Sequence, residues 1–133
     1  MIIDIDLLLA WGATYKKVKS EEIIFREGAD CHFYYQLVSG SVRWVNINDD
    51  GREFIQNMVE PGECFGELPL FDDSTYAASA IANTDTVLLR LHKNTFRQLL
   101  KEYPDLQFTF SKLMSERLRF KFLLLKELAC NDP

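Results

Sequence analysis

The chain is short of cysteine and histidine and, over its first two thirds, of positive charge. Its 133 residues hold three cysteines and two histidines. Cys31, Cys64 and Cys130 are far apart and odd in number, and no Cys-x-x-Cys occurs. This excludes a disulfide scaffold or a zinc ribbon and fits free thiols in a reducing compartment. His32 and His92 are not grouped with acids at ligand spacing, so a metal-dependent enzyme built on histidine and carboxylate ligands is not expected. Long apolar runs are also missing. Residues 1–10 are apolar but broken by Asp4 and Asp6, and no basic segment precedes them. Such a stretch is too short to span a membrane and does not read as a secretory signal. The expectation is a soluble, cytoplasmic chain with no membrane partner.

Residues 1–89 carry six Lys and Arg against fifteen Asp and Glu, whereas residues 90–133 carry nine against five. A body this acidic, with net charge −5, is a poor platform for a nucleic-acid backbone. The basic surplus after residue 90 reads as solvated helix faces.

What is present points to one folded domain over residues 1–133. Apolar residues make up 47% of the chain and ten are Phe, enough for a core and too many for disorder. Residues 1–13 read as a short helix. Residues 14–92 form short runs broken by Gly, Asp and Asn, at 15–18, 22–25, 33–38, 41–47, 52–59, 63–65, 75–82 and 86–92. Turn-bounded runs of this length predict antiparallel strands in a sandwich or jelly roll. Asp50-Gly51 is a hairpin signal. After Leu91 the period becomes helical through residue 130, with Asn94 as an N-cap and Pro104 opening a long helix over 105–129. That helix is apolar around most of its girth near its end, so it must bury two faces. One face can pack on its own barrel. The other predicts a homodimer seam at Leu113, Met114, Leu118, Leu124, Leu125 and Leu128.

The segment Pro61-Gly62-Glu63-Cys64-Phe65-Gly66-Glu67-Leu68-Pro69-Leu70-Phe71 carries the functional signal. Glycine lets the backbone approach a ligand and turn at positive φ. Free backbone N–H groups in such a turn make a concavity for anions, and a carboxylate beside it accepts a hydroxyl. That is the chemistry of a nucleotide pocket. No Lys or Arg occurs between Arg52 and Arg90, so the loop brings no side-chain cation of its own.

These residues, together with Glu27-Gly28, Val38-Ser39-Gly40-Ser41-Val42, Asp49-Asp50-Gly51 and the strand Thr86-Val87-Leu88-Leu89-Arg90-Leu91, resemble a known family. The chain is similar to the sensor domain of the cyclic-nucleotide-binding superfamily, in its catabolite-activator and fumarate-nitrate-reduction regulator (Crp/Fnr) branch. The resemblance covers about residues 11–130. It implies an antiparallel double-stranded β-helix, or jelly roll, followed by C-terminal helices of which the long one dimerises. It also implies a ligand-sensing regulatory domain rather than an enzyme.

In the family the Gly-Glu-Leu glutamate accepts the ribose 2′-hydroxyl, and the resemblance carries that role to Glu67. Phe65, Gly66 and Leu68 then border the ligand, with Leu70 and residues 76–81 as walls. The family's phosphate-binding arginine falls on Ala77 or Ala78, and Ser79 or Thr75 is left to supply a hydroxyl. Lys121 and Phe122 fall where the long helix meets the base. The expected consequence is weak or absent binding of cAMP or cGMP, with no cofactor assigned and an effector of unknown identity. DNA contact would come only through a helix-turn-helix domain beyond residues 131–133, where the resemblance places a hinge at which the chain is expected to be cut. The competing expectation is a degenerate module that serves dimerisation or partner docking without a ligand. Family iron–sulfur sensing does not carry over, because the required cysteine group is missing.

Overall fold

The computed structural model describes residues 1–130, so the expected hinge at 131–133 lies outside the described residues. The chain divides into two compact units, with the division falling between Leu99 and Leu100. The first opens with helix α1 (Ile5–Ala10) and continues through β1 (Thr14–Val18), β2 (Ile23–Phe25), β3 (Phe33–Ser39), β4 (Val42–Ile47), β5 (Glu53–Val59) and β6 (Cys64–Phe65). Helix α2 (Leu68–Asp72), strands β7 (Ser79–Ala82) and β8 (Thr86–His92) and helix α3 (Lys93–Glu102) follow. The strands form two antiparallel four-stranded sheets, ordered β1-β8-β3-β6 and β2-β7-β4-β5.

Turn chemistry accounts for the hairpins. Gly40 joins β3 to β4 at φ +95°, and a Cβ there would lie 2.4 Å from Thr86 Oγ1 and 2.7 Å from the Asp85 carbonyl oxygen. Only glycine fits that position. Between β4 and β5, Asn48 Oδ1 accepts the N–H groups of Asp50 and Arg52. At the chain start, Asp4 Oδ1 accepts the N–H of Asp6 and Leu7 and caps α1, a standard N-cap role.

Both faces of β3 and β8 are largely buried. Tyr34 and Gln36 pair with Leu91 and Leu89, while Tyr35 and Leu37 pair with Arg90 and Leu88. The Gln36 side chain accepts from the Ile3 N–H and donates to the Ile3 carbonyl, and the Tyr34 hydroxyl donates to it at 2.6 Å. This ties the first residues to the sheet. Tyr34 also stacks on Phe96 of α3, centroid to centroid 4.7 Å.

Two local expectations change, and the segment after Glu67, which lay outside the expected strands, forms the short helix α2. The run expected at 75–82 is strand only over Ser79–Ala82, because Tyr76 pairs its backbone with Gly28 and Ala29 in a loop. Helix α3 starts at Lys93, which places Asn94 inside the first turn and not at the cap.

The second unit is dominated by helix α4 (Pro104–Cys130), with Pro104 at its first position and Phe110 as its buried residue. Leu113 and Met114 are half-buried. Leu118, Phe120, Phe122, Leu123, Leu124, Leu125 and Leu128 are all exposed, between 48% and 64%. These side chains point around the helix rather than along one stripe, as the 3.6-residue period requires for such closely spaced positions.

Candidate functional site

The glycine-glutamate loop joins the end of β6 to the start of α2. Phe65 is paired to Tyr35 in the sheet. Gly66 turns the chain at φ +68°. Glu67 then caps α2 through its backbone, since its carbonyl accepts the Leu70 N–H at 3.0 Å. The Glu67 side chain is 1% exposed and does not bond the helix N–H groups. It is therefore neither a solvated loop carboxylate nor a local cap.

Helix α2 ends at Asp73, which sits in the left-handed region at φ +59°. That residue is held from outside its own segment. Its carboxylate pairs with Lys93 at 2.9 Å and Arg97 at 2.6 Å, and Arg97 Nε donates to the Leu70 carbonyl at 2.9 Å. The Lys93 and Arg97 charges hold the Asp73 carboxyl below the usual carboxylate range. Phe71 packs edge-on against Phe96. The segment after Glu67 is thus clamped to α3.

Above Gly66 lies a cluster of aromatic rings. Phe25 and Tyr76 stack with centroids 3.7 Å apart and nearly parallel. Phe65 lies 5.9 Å from Phe25 and 5.6 Å from Tyr35, and Tyr35 lies 5.8 Å from Phe25. A Cβ on Gly66 would stand 2.5 Å from Phe25 Cζ and 3.0 Å from Tyr76 Cε1. Two aromatic side chains therefore cover this side of the loop. Burial raises the Tyr76 phenol strongly, and the Cys31 side chain adds to the shift. Tyr35 is raised by burial as well, with Arg90 opposing. Both phenols keep their protons at neutral pH.

The predicted site residues divide between the two units. Phe65, Gly66 and Glu67 are buried, and Leu68 is exposed. Ala77 is exposed, and its carbonyl accepts from Asn46 Nδ2 at 2.8 Å. Ala78 is buried at 4% exposure. Ser79 is buried, and its Oγ accepts the Glu27 N–H at 2.8 Å, tying β7 to the Glu27-Gly28 turn. Asn46 Nδ2 also donates to the Glu27 carboxylate. Thr75 is exposed. Lys121 and Phe122 lie on α4 in the second unit, and both are exposed. Sequence reading placed Tyr76 in a wall of the site and missed Phe25, Tyr35 and Arg90. Their one common signal is that each lies in or beside a strand that the turn residues delimit. Among the described residues no three His, Cys, Asp or Glu are grouped as a metal site, and no helix is long and apolar enough to cross a membrane.

The family description "cyclic nucleotide-binding domain" matches residues 15–103. The cyclic AMP receptor protein of Thermus thermophilus is 34% identical over 96 residues, which are 72% of this chain and 44% of that protein. Lysophospholipase nte1 of Neurospora crassa is 28% identical over 119 residues, 90% of this chain and 8% of that protein. Among solved structures, the Thermus thermophilus catabolite activator protein superposes with a TM-score of 0.84 at 31% identity, covering 94% of this chain and 58% of that one. The sensor domain of the transcriptional regulator DNR from Pseudomonas aeruginosa gives 0.73 at 26%, covering 86% and 77%. The chain spans less than half the length of the Thermus receptor and under a tenth of the lysophospholipase. Its eight antiparallel strands with C-terminal helices are the jelly roll of the Thermus activator.

Proposed function

Because the chain belongs to the cyclic nucleotide-binding domain family, we propose that it is the ligand-sensing, dimerising domain of a Crp/Fnr-type transcription regulator with an altered effector pocket. The observation that carries this reading is the last third of α4. Seven large apolar side chains exposed between Leu118 and Leu128 exceed what a solvated helix keeps. A second copy of the same helix, roughly parallel, covers the seam at Leu113, Met114, Leu118, Leu124, Leu125 and Leu128. A Leu buried there stabilises association by about 1.5–3 kcal/mol. Contact with DNA belongs to a separate helix-turn-helix domain, and the working compartment is the cytoplasm.

The pocket lies over Gly66-Glu67-Leu68. Glu67, the loop amides and Ser79 remain to hold a ligand, but alanine stands at 77 and 78. A charge-assisted hydrogen bond contributes about 1.5–3 kcal/mol, so its loss weakens cAMP or cGMP by about one to two orders of magnitude. A ligand acts through the clamp of α2 on α3, which α4 follows in sequence, provided that it binds two helix arrangements with different affinity.

The test is calorimetric titration with cAMP and cGMP. Binding weaker than roughly 100 µM is expected of the chain as it stands. Ala77→Arg should gain affinity, because Ala77 is exposed and has room where Ala78 does not. Tight cAMP binding by the unmodified chain refutes the altered-pocket reading. A second reading, a module that docks or dimerises without any ligand, is favoured by the Phe25 and Tyr76 rings packed on Gly66. No gain from Ala77→Arg would support it.

A further inference from the structure

Arg90 lies in the middle of β8. The register sets it directly opposite Tyr35 of β3, and Tyr35 directly opposite Phe65 of β6. Directly opposed residues of an antiparallel ladder share a face, so Arg90, Tyr35 and Phe65 form one row on one face of the sheet. Strands stand about 4.8 Å apart. The Arg90 backbone is therefore about 10 Å from that of Phe65, within reach of a long side chain and a small ligand together.

The guanidinium has an aromatic setting and, among the described residues, no ion-pair partner. Its central carbon sits 4.8 Å from the centroid of the Phe33 ring. The His92 ring, directly opposite Phe33 in the sheet, packs 4.8 Å from the same ring, and Phe33 lies 5.9 Å from Tyr35. None of the four ion pairs among the described residues involves Arg90. Its Nε–H is buried and donates to no acceptor among the described residues. Arginine stays charged at any working pH, and few buried donors in folded proteins go without an acceptor. A guanidinium stacked on a ring keeps its edge for a planar oxyanion, which it binds through two parallel hydrogen bonds. The Phe33, Tyr35 and His92 rings beside it suit a flat apolar body.

We infer that Arg90 anchors a small aromatic carboxylate beside the Phe33 and Tyr35 rings, the cation of the site coming from β8 and not from the segment that leads into β7. This rests on the reading that the barrel takes a small effector, and it names the chemical class of that effector. Tyr35, directly opposite Arg90 in the sheet, adds a hydroxyl for the same ligand.

The test follows the Arg90 Nε–Hε signal of the full ¹⁵N-labelled chain by NMR, assigned by its loss in Arg90→Gln. Benzoate, benzyl alcohol and inorganic phosphate are added separately, at the millimolar levels a fragment requires. Benzoate should shift the signal saturably, with half-saturation at least tenfold below that of benzyl alcohol or phosphate. Arg90→Gln should weaken benzoate, followed on backbone amides of Phe33 and Tyr35, at least tenfold, and Arg90→Lys should restore only part of the loss. If Arg90→Gln fails to fold, loss of the signal in Arg90→Lys assigns it, and the shift in the unmodified chain then decides. An Nε–Hε signal unmoved by benzoate overturns the proposal. So does equal response to phosphate and benzoate, because the site then reads charge without the ring. Failure of cAMP to bind leaves this result untouched, and a silent benzoate titration leaves the nucleotide titration to judge the sensor reading.

Discussion

Replacing Gly66 by alanine tests whether the loop is built around the ring stack. Two costs add. The first is conformational, because φ is +68° and an L-residue there loses about 1–2 kcal/mol. The second is steric. The new Cβ would stand 2.5 Å and 2.8 Å from Phe25 Cζ and Cε2 and 3.0 Å from Tyr76 Cε1. These atoms belong to rigid rings stacked on each other at 3.7 Å, so neither ring moves without the other. Overpacking of this kind costs about 1–3 kcal/mol, which brings the expected loss to about 2–5 kcal/mol. Gly51→Ala is the control: φ is +81° and nothing lies within 4 Å of the added Cβ, so only the conformational cost of about 1–2 kcal/mol applies. Urea unfolding of both variants, followed by far-ultraviolet circular dichroism, measures the difference. Equal losses in the two variants would refute the ring-packing argument and leave the loop free to open over Gly66.

Further outcomes follow from other contacts. Leu118→Lys with Leu125→Lys should convert a dimer to a monomer in sedimentation velocity, and unchanged sedimentation would move the seam elsewhere. Gln36→Leu should cost about 2–4 kcal/mol, because Ile3 is 1% exposed and loses partners for both its N–H and its carbonyl; hydrogen exchange at Ile3 should accelerate. Asp73→Asn should lower the denaturation midpoint at neutral pH by loosening the clamp of Lys93 and Arg97 on α2. The Asp73 pKa is depressed in the folded chain, so its contribution is complete above the ordinary aspartate value of about 4. It is lost as pH falls through the lower folded value, and the variant and the unmodified chain should then unfold together. Arg43→Met should cost roughly 1–2 kcal/mol, since Arg43 joins Glu21, Glu53 and Asn83, and a salt-insensitive loss would point to packing instead.

The strand and helix plan was legible in the sequence because its cues are local. Glycine at 40 and 51 and the asparagine at 48 set the hairpins through their own backbone needs, and Pro104 opens α4 by its own geometry. The apolar girth of α4 is likewise a matter of spacing alone. Helix α2 was not legible. Leu68-Pro69-Leu70-Phe71-Asp72 is too short to show a period, and its end at Asp73 is held by Lys93 and Arg97, twenty and more residues away along the chain. The loop could be located from its glycines and its glutamate, and the alanines at 77 and 78 could be read directly. The resemblance reached Phe65 and residues 76–81 as walls, but not the ring stack that covers the loop. Phe25, Tyr35, Phe65 and Tyr76 come from β2, β3, β6 and a loop, and no sequence spacing relates them. Arg90 shows the same division in a single residue. The sequence marks it as the first cation after a long gap. Only the pairing of β8 with β3 turns it onto the face of Tyr35 and the ring of Phe33, because the face of a strand residue is set by register, and register is settled by the sheet as a whole.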